Sequence, residues 1–514
     1  MFVLLLLSQN PNWWPTYGAD LANTHFSPLK GAMSTAPSVV WQYSDVGYVE
    51  RSPATAEIGD GDNYLETLVP GYTTGNLALL EGATQTVQWT YSSSAANAIS
   101  TAAMYDVDND PQLECIATYN GGSAEGIVCL DGLSGAAQWT STRGKTRGSA
   151  KVAELVPSNP GLEVVISDTN GILCLDAATG TQLWFAQLGL SSSTPALADV
   201  DGDGRLEVGV ACYDTAAVLE GENGQVKWKH PISNQYSSPT LFDVTGDGVP
   251  DLVLASDMEV RCYDGNTGAL HWTVSTTYSV EAGIAAWDLD NDDTVEVLIG
   301  CRNSTNTAGV FYCVNGRTGN VEWNYSTDYG VHRAVSLVDV NSDNQVEILL
   351  PGCKNGGANT LKCLRPDGSL LWEVSLSTAH DIHDPSNSDY DNDGCAELIV
   401  GTYGVNSAWF LDDPNDSSGC GVLSGSERDM EIGMGYGEPE ITTSGNDLLL
   451  ILPRDTKGEL SIYDMAGRQV MSLFSGMMRK GEYRFHLSVE SAGLYVAAFT
   501  TEQGTVSSTL EIVR

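Results

Sequence analysis

The sequence predicts an all-β chain, an eight-bladed β-propeller followed by a small Ig-like β-sandwich, and three observations carry that prediction. Tryptophans recur at Trp41, Trp89, Trp139, Trp184, Trp228, Trp272, Trp323 and Trp372, at spacings of 44 to 51 residues, a length that suits one four-stranded blade. An acidic loop, D-x-D-x-D with a further acid four residues on, recurs in phase with them. After about residue 425 both patterns stop and a different set of alternating strands begins.

Each unit runs in the same order: a short apolar run, the acidic loop, a strand such as VEVLIG, then a hairpin such as LCLDAATGTQLW. Gly135, Gly180, Gly224, Gly268, Gly319 and Gly368 stand four residues before a closing Trp, where the hairpin needs a positive φ. The first unit lacks this glycine and its hairpin is expected to be atypical. A Trp strand precedes the first acidic loop and none follows the last. The simplest closure therefore completes the last blade, near residues 373–425, with the N-terminal strand around Val39 to Tyr43, which removes two sheet edges at once. Residues 12–425 form the propeller on this reading, 426–445 a linker and 446–514 the sandwich.

At 514 residues with 42% hydrophobic residues and 54 glycines, the chain has the apolar material and the turn formers for such a fold. Its 24 basic and 66 acidic residues give a formal charge of −42, which repels nucleic acid and anionic membranes and points to cations as partners. The opening MFVLLLLSQ has the apolar run of a secretory signal without a basic start or an A-x-A site, so residues 1–11 read as a truncated signal or a buried strand. No run of 18 apolar residues offers a membrane-spanning helix.

The acidic loops carry the chemistry. Four are complete: Asp106, Asp108, Asp110 and Glu114; Asp199, Asp201, Asp203 and Glu207; Asp288, Asp290, Asp292 and Glu296; Asp389, Asp391, Asp393 and Glu397. Alternate carboxylates on a tight loop can meet the demand of calcium for six to eight oxygens, with backbone carbonyls and water supplying the rest. An EF-hand begins alike but needs an acid at its twelfth position, where this chain has Ala117, Val210, Ile299 and Val400 inside apolar strands. Asp243, Thr245, Asp247 and Asp251, and Asp339, Asn341, Asp343 and Glu347, replace one carboxylate with a neutral oxygen and are expected to bind more weakly. The first loop, around Asp60, Asp62 and Glu66, is out of register, and the third, Glu154 to Glu163, has lost its aspartates and is expected to hold no ion.

Eleven cysteines form no C-x-x-C pair. Cys129, Cys174, Cys262, Cys313 and Cys363 share one repeat position, either as small buried strand residues or, in an oxidising compartment, as partners in Cys115–Cys129, Cys301–Cys313 and Cys353–Cys363 bridges.

The acidic loop followed by an apolar strand resembles the FG-GAP repeat of integrin and bacterial surface propellers, and the LDAATGTQLW hairpin resembles the pyrroloquinoline-quinone (PQQ) propeller repeat. The stretch Asn12 to Gly31 is similar to the lead-in of the latter family. The tail resembles the C-terminal sorting domain of type IX secretion substrates in Tyr463, Asp464, Gly467, Arg468, Gly493 and Tyr495, which implies contact with the secretion machinery and an extracellular or cell-surface location. Quinoprotein dehydrogenases carry adjacent cysteines over their cofactor; this chain has no adjacent pair, so PQQ is not expected.

The residues just before each blade's first strand should line the mouth of a central channel, and there the repeats diverge: Arg51, Arg147, Tyr236, Glu281, His332, Arg333, His383 and Asp384. With His380 nearby, a histidine beside Asp384 or Glu281 could act as an acid or base. No G-x-S-x-G, H-E-x-x-H or phosphate loop is present. These features read as a calcium-stabilised surface propeller that binds a glycan or a cell-surface protein without catalysis, with a calcium-dependent polysaccharide lyase as the alternative.

Overall fold

Short apolar runs broken by turn formers leave no long amphipathic face, and every regular element described is a strand. The computed structural model describes residues 13–514 except 63, 73, 83, 94–97, 109, 111, 122–124, 144–147, 234–236, 354–358, 378–380, 404–406, 414–419, 424–439, 445–446, 453–455, 465–467, 479–480, 487–492, 502–504 and 513–514. The N-terminal signal segment read from the sequence lies outside these. Among the described residues no helix is long and apolar enough to cross a membrane. Contacts divide the chain into Ser8–Gly433 and a C-terminal unit, Met434–Arg514.

The first unit is a β-propeller, and its described residues form eight successive sheets of four or five strands each. The third is representative: a fully buried innermost strand, Lys151–Ala153, then Glu163–Asp168, Gly171–Asp176 and a half-exposed outer strand, Gln182–Gln187, all antiparallel. In the last sheet the outermost strand comes from the N-terminus, Ser38–Tyr43, with Trp41 opposite Phe410. The expected closure around Val39 to Tyr43 is therefore present.

The recurring tryptophans do more than close their own hairpins. From Trp89 to Trp372 each donates its indole N–H to a carbonyl beyond its own sheet, and as far as Trp323 that carbonyl lies in the hairpin of the following sheet: Trp89 to Gly132 at 2.6 Å, Trp139 to Ala177 at 2.8 Å, Trp184 to Gly221 at 2.8 Å and Trp228 to Gly265 at 2.6 Å. Trp272 reaches Gly316 at 2.6 Å, Trp323 reaches Pro366 at 2.7 Å and Trp372 reaches Met33 at 2.8 Å. The hairpin glycine is the floor of this contact. Gly180 has the expected left-handed backbone, φ 69°, and a Cβ there would sit 2.5 Å from the Trp139 ring. The first hairpin is not atypical, in correction of the expectation above. Gln85 takes the same left-handed position at φ 55°, and its N–H meets the Glu81 carbonyl at 2.7 Å.

The axis is filled by the chain's own N-terminal segment. Trp14 pairs with Thr55, Pro15 accepts from Met104, Leu21 from Leu197, Ala22 from Leu241, Thr24 from Ala286 and His25 from Leu337. The Lys151 ammonium, wholly buried, donates to the carbonyls of Tyr17 and Asp20. Phe26–Lys30 then runs parallel to Ser336–Asp339 as a fifth strand of the seventh sheet. The segment thus visits the sheets in order, and Ala19, Asn23 and His25 accept left-handed backbone to follow that course.

The cysteines decide between the two readings: the recurring ones are small buried strand residues, and the cross-strand bridges are absent. Cys115, Cys129, Cys301, Cys313, Cys353 and Cys363 are buried free thiols, and the recurring one packs across from the Trp, as in Cys174 opposite Trp184. Cross-strand register leaves Cys301 opposite Val310 and Cys313 opposite Leu298, so no bridge forms between them. The disulfide present joins Cys395 to Cys420, a pair the repeat pattern did not mark.

The C-terminal unit has two antiparallel sheets, one of Glu440–Ser444, Asp447–Leu452 and Gly481–His486, the other of Thr456–Asp464, Gln469–Met478, Gly493–Thr501 and Thr505–Ile512. Leu448, Leu450, Leu460, Ile462, Ala497 and Phe499 form its core. Its first strand lies inside the stretch read as linker, because Thr442, Thr443 and Ser444 have loop composition. Asp464 pairs with Tyr495, which brings two parts of the tail motif side by side; Gly467 lies outside the described residues.

A matched pair of substitutions tests the indole contact. Gly180 and Gly202 have similar φ, 69° and 74°, but a Cβ at Gly202 meets nothing within 4 Å. In chelator, Gly202→Ala should cost about 1–2 kcal/mol for the left-handed backbone alone, and Gly180→Ala several-fold more by urea unfolding. Equal losses would show that the Trp139 contact contributes nothing.

Candidate functional site

The segments that lead into the innermost strands converge at one end of the axis on a recess of about 310 Å³. Arg51, Glu281, His332, Arg333 and Asp384, all singled out from the sequence, line it together with Tyr17, Glu50 and Arg302. Tyr17 belongs to the axial segment, so the feature is a recess against the chain's own N-terminal segment rather than the mouth of an open channel. Arg147, Tyr236 and His380 lie outside the described residues. His383 does not line the recess: it is fully buried, and burial, with Arg333 and Arg51 nearby, pushes its imidazole well below the usual range. That removes His383 as a proton donor to a ligand there, since alternation along the segment turns Asp384 toward the recess instead.

Arg302 and Glu281 form an ion pair at 2.7 Å. Asp384 accepts the Ala334 N–H through Oδ1 at 2.7 Å, and burial raises its carboxyl above the ordinary value against the opposing pull of Arg333 and Arg51. The buried Nε of Arg333 has no hydrogen-bond partner. His332 is 3.4 Å from Asp381 through Nε2, and burial lowers its basicity. Arg302 was not foreseen: it ends a strand, Glu296–Arg302, rather than preceding one.

The acidic loops sit elsewhere. They follow the C-terminal ends of the innermost strands, whereas the recess residues precede the N-terminal ends, so loops and recess lie at opposite ends of these strands. The ninth-position acid is a loop staple: Glu114, Glu207, Glu296, Glu347 and Glu397 each accept the N–H of the residue seven before, and Asp251 does the same for Val244. The first-position aspartate folds over the loop, as Asp199 does in accepting from Gly202 and Gly204 at 2.8 and 2.9 Å. Fifth-position Asp110, Asp203, Asp247, Asp292, Asp343 and Asp393 each accept the N–H two residues on.

What stands opposite these carboxylates differs from loop to loop. In the eighth, Asp389, Asp391, Asp393 and Glu397 bring oxygens within 4.8 Å of one another, and burial with those aspartates pushes Glu397 well above the ordinary carboxylate value. In the third, the Asn159 amide spans Glu163 and Asp176 at 2.8 and 2.9 Å, a neutral donor where a cation would stand. Lys227 pairs with Asp201 in the fourth, and His271 with Asp251 at 3.1 Å in the fifth. The first loop is one residue longer, with Glu66 accepting from Ile58 eight residues back. It still gathers Asp60, Glu66 and Glu81 within 4.8 Å.

The family described as Outer membrane protein assembly factor BamB, a PQQ-type repeat family, matches residues 123–231 and 168–347. No curated protein matches the sequence. The fold is similar to "Europium-containing methanol dehydrogenase", with a TM-score of 0.57, 12% identity, and coverage of 77% of this chain and 91% of that one. It is also similar to the quinohemoprotein alcohol dehydrogenase ADHIIG from Pseudomonas putida HK5, with a TM-score of 0.58, 11% identity, and coverage of 85% and 83%. These matches correct the expectation of a non-catalytic glycan- or protein-binding module, with a lyase as its alternative: the similar solved structures are a methanol dehydrogenase and a quinohemoprotein alcohol dehydrogenase, and none of the matches supports non-catalytic binding. The expectation that PQQ has no part here finds no support in them either. At these identities the likeness is one of fold, and what it shows is an all-β chain built on PQQ-like propeller repeats.

Proposed function

We propose that the axial recess is the active site of a redox enzyme and that it holds an anionic, multiply carboxylated small molecule, a PQQ-type quinone being the member of that class the fold favours. The observation that carries the reading is the gathering of three guanidiniums, Arg51, Arg302 and Arg333, around one recess of about 310 Å³. Guanidiniums recognise carboxylates through paired, charge-assisted N–H donors, and a buried Nε on Arg333 is available for one. Such a quinone would supply a two-electron couple.

Within this reading Arg51 and Arg333 bind and orient carboxylates, and the Glu281–Arg302 pair fixes one wall. Asp384, with Oδ1 engaged by Ala334, takes a substrate hydroxyl proton on Oδ2.

The same reading makes the acidic loops that keep their carboxylates calcium sites, which brace their blades at the far ends of the innermost strands, in the manner of the FG-GAP repeat they resemble; the third loop, spanned by Asn159, is left without an ion. The eighth loop, with four carboxylates and the adjoining Cys395–Cys420 bridge, is its best-formed member. The C-terminal unit, as an Ig-like sorting domain, would direct type IX export and an extracellular or surface location.

Two measurements test this. Titrating the protein with PQQ and with benzenetricarboxylate should raise its melting temperature. Arg51→Ala or Arg333→Ala should weaken binding about tenfold or more, because a hydrogen bond to a charged group contributes about 1.5–3 kcal/mol. No shift with either compound would end the recess reading, and binding without dye-linked alcohol oxidation would end its redox part. Metal analysis should find several calcium ions whose removal lowers the melting temperature; Glu397→Gln should release one of them and Glu163→Gln none. A metal-free protein indifferent to chelator would show the loops to be hydrogen-bonded turns.

A further inference from the structure

Beside the recess, and apart from the acidic loops, three chemically different ligands converge: His332, Cys353 and Asp381. One ligand atom from each lies within 4.8 Å of the other two. They come from three separate segments: the approach to the seventh sheet's innermost strand, the end of its second strand, and the approach to the eighth sheet. Backbone pairing fixes these segments to one another. Gly330 N–H donates to the Cys353 carbonyl at 3.1 Å, and Ile382 N–H to the Gly352 carbonyl at 3.0 Å. His332 and Asp381 are already 3.4 Å apart, and the Cys353 thiol rests 3.4 Å from the Ile382 carbonyl. The His332 Nδ1 is buried without a partner.

Burial is graded in a telling way. Cys353 is fully buried, whereas the side chains of His332 and Asp381 keep 9% and 15% of their surface, and His332 lines the recess. Three inner ligands with one side turned to a cavity is the arrangement of a catalytic rather than a structural metal centre. The donor set also selects. A thiolate and an imidazole favour borderline and soft ions, and a calcium ion, which takes oxygen, would be poorly served.

We infer that His332, Cys353 and Asp381 form a site for one zinc-like transition-metal ion, with its open coordination position facing the axial recess. Nothing in this requires the recess to hold a quinone, so the site stands or falls separately from the proposed redox function.

The probe is cobalt(II) chloride added to the full-length, calcium-loaded protein, because a cobalt–thiolate bond gives an intense near-ultraviolet charge-transfer band that oxygen-only loops cannot produce. One equivalent should develop the band, and one equivalent of zinc should abolish it. Cys353→Ser should remove the band, whereas Cys363→Ser, in the same sheet but outside the cluster, should keep it. Asp381→Asn, at a side chain that keeps 15% of its surface, should retain the fold and the band while weakening affinity about tenfold or more, on the scale of a lost ligand or its support. Absence of the band in the folded wild type, its persistence in folded Cys353→Ser, or unchanged affinity in Asp381→Asn would each overturn the assignment.

Discussion

The propeller depends on one repeated contact, an indole N–H laid across a glycine and bonded to a carbonyl of the next sheet. Sheets of four short strands do not hold each other by backbone pairing, since their ladders run within each sheet. Seven tryptophans, from Trp89 to Trp372, tie each sheet to the following hairpin or, for the last, to Met33. A buried carbonyl left without its indole partner would carry the full desolvation penalty, about 1–3 kcal/mol for each. The glycine is conserved within the repeat because the ring needs its space as well as its φ; where the space is not taken by an identical arrangement, Gln85 serves.

The second constraint is the axis. Eight innermost strands leave carbonyls and N–H groups facing inward, and a filled axis must satisfy them. The segment from Trp14 to Lys30 does so with its own backbone, one sheet after another, and then supplies Ser38–Tyr43 to close the last sheet. The N-terminus is therefore both axle and latch. Filling the axis also makes the recess: Tyr17 of this segment meets the divergent residues ahead of the innermost strands, and the charged groups gather there rather than along a through-channel.

Much of this was legible in the sequence because it repeats. The Trp period, the hairpin glycines and the acid spacing marked the sheets, and the unpaired ends of the repeat marked the closure. What escaped was set by contacts without a side-chain signature. The partners of Trp139 and its kin are carbonyls in another unit, and the course of the axial segment is written in backbone hydrogen bonds. The Cys395–Cys420 bridge joins two residues outside the repeat position, so counting repeated cysteines pointed to the wrong pairs. At the recess, divergence among repeats marked Arg51, Glu281, His332, Arg333 and Asp384, which line one cavity, yet Arg302 was missed because it ends a strand rather than preceding one. His383 was included because alternation within so short a segment cannot be phased from sequence.

If indole bonds between sheets hold the ring as one cooperative body, hydrogen exchange at the tryptophan side chains, followed by NMR with each resonance assigned by Trp→Phe substitution, will report it. The indoles of Trp89, Trp139, Trp184, Trp228, Trp272, Trp323 and Trp372 should be protected to a similar degree and lose protection together as denaturant rises, whereas Trp41, on the donated strand, should exchange sooner. Rapid exchange at these seven, or loss of protection sheet by sheet, would contradict it.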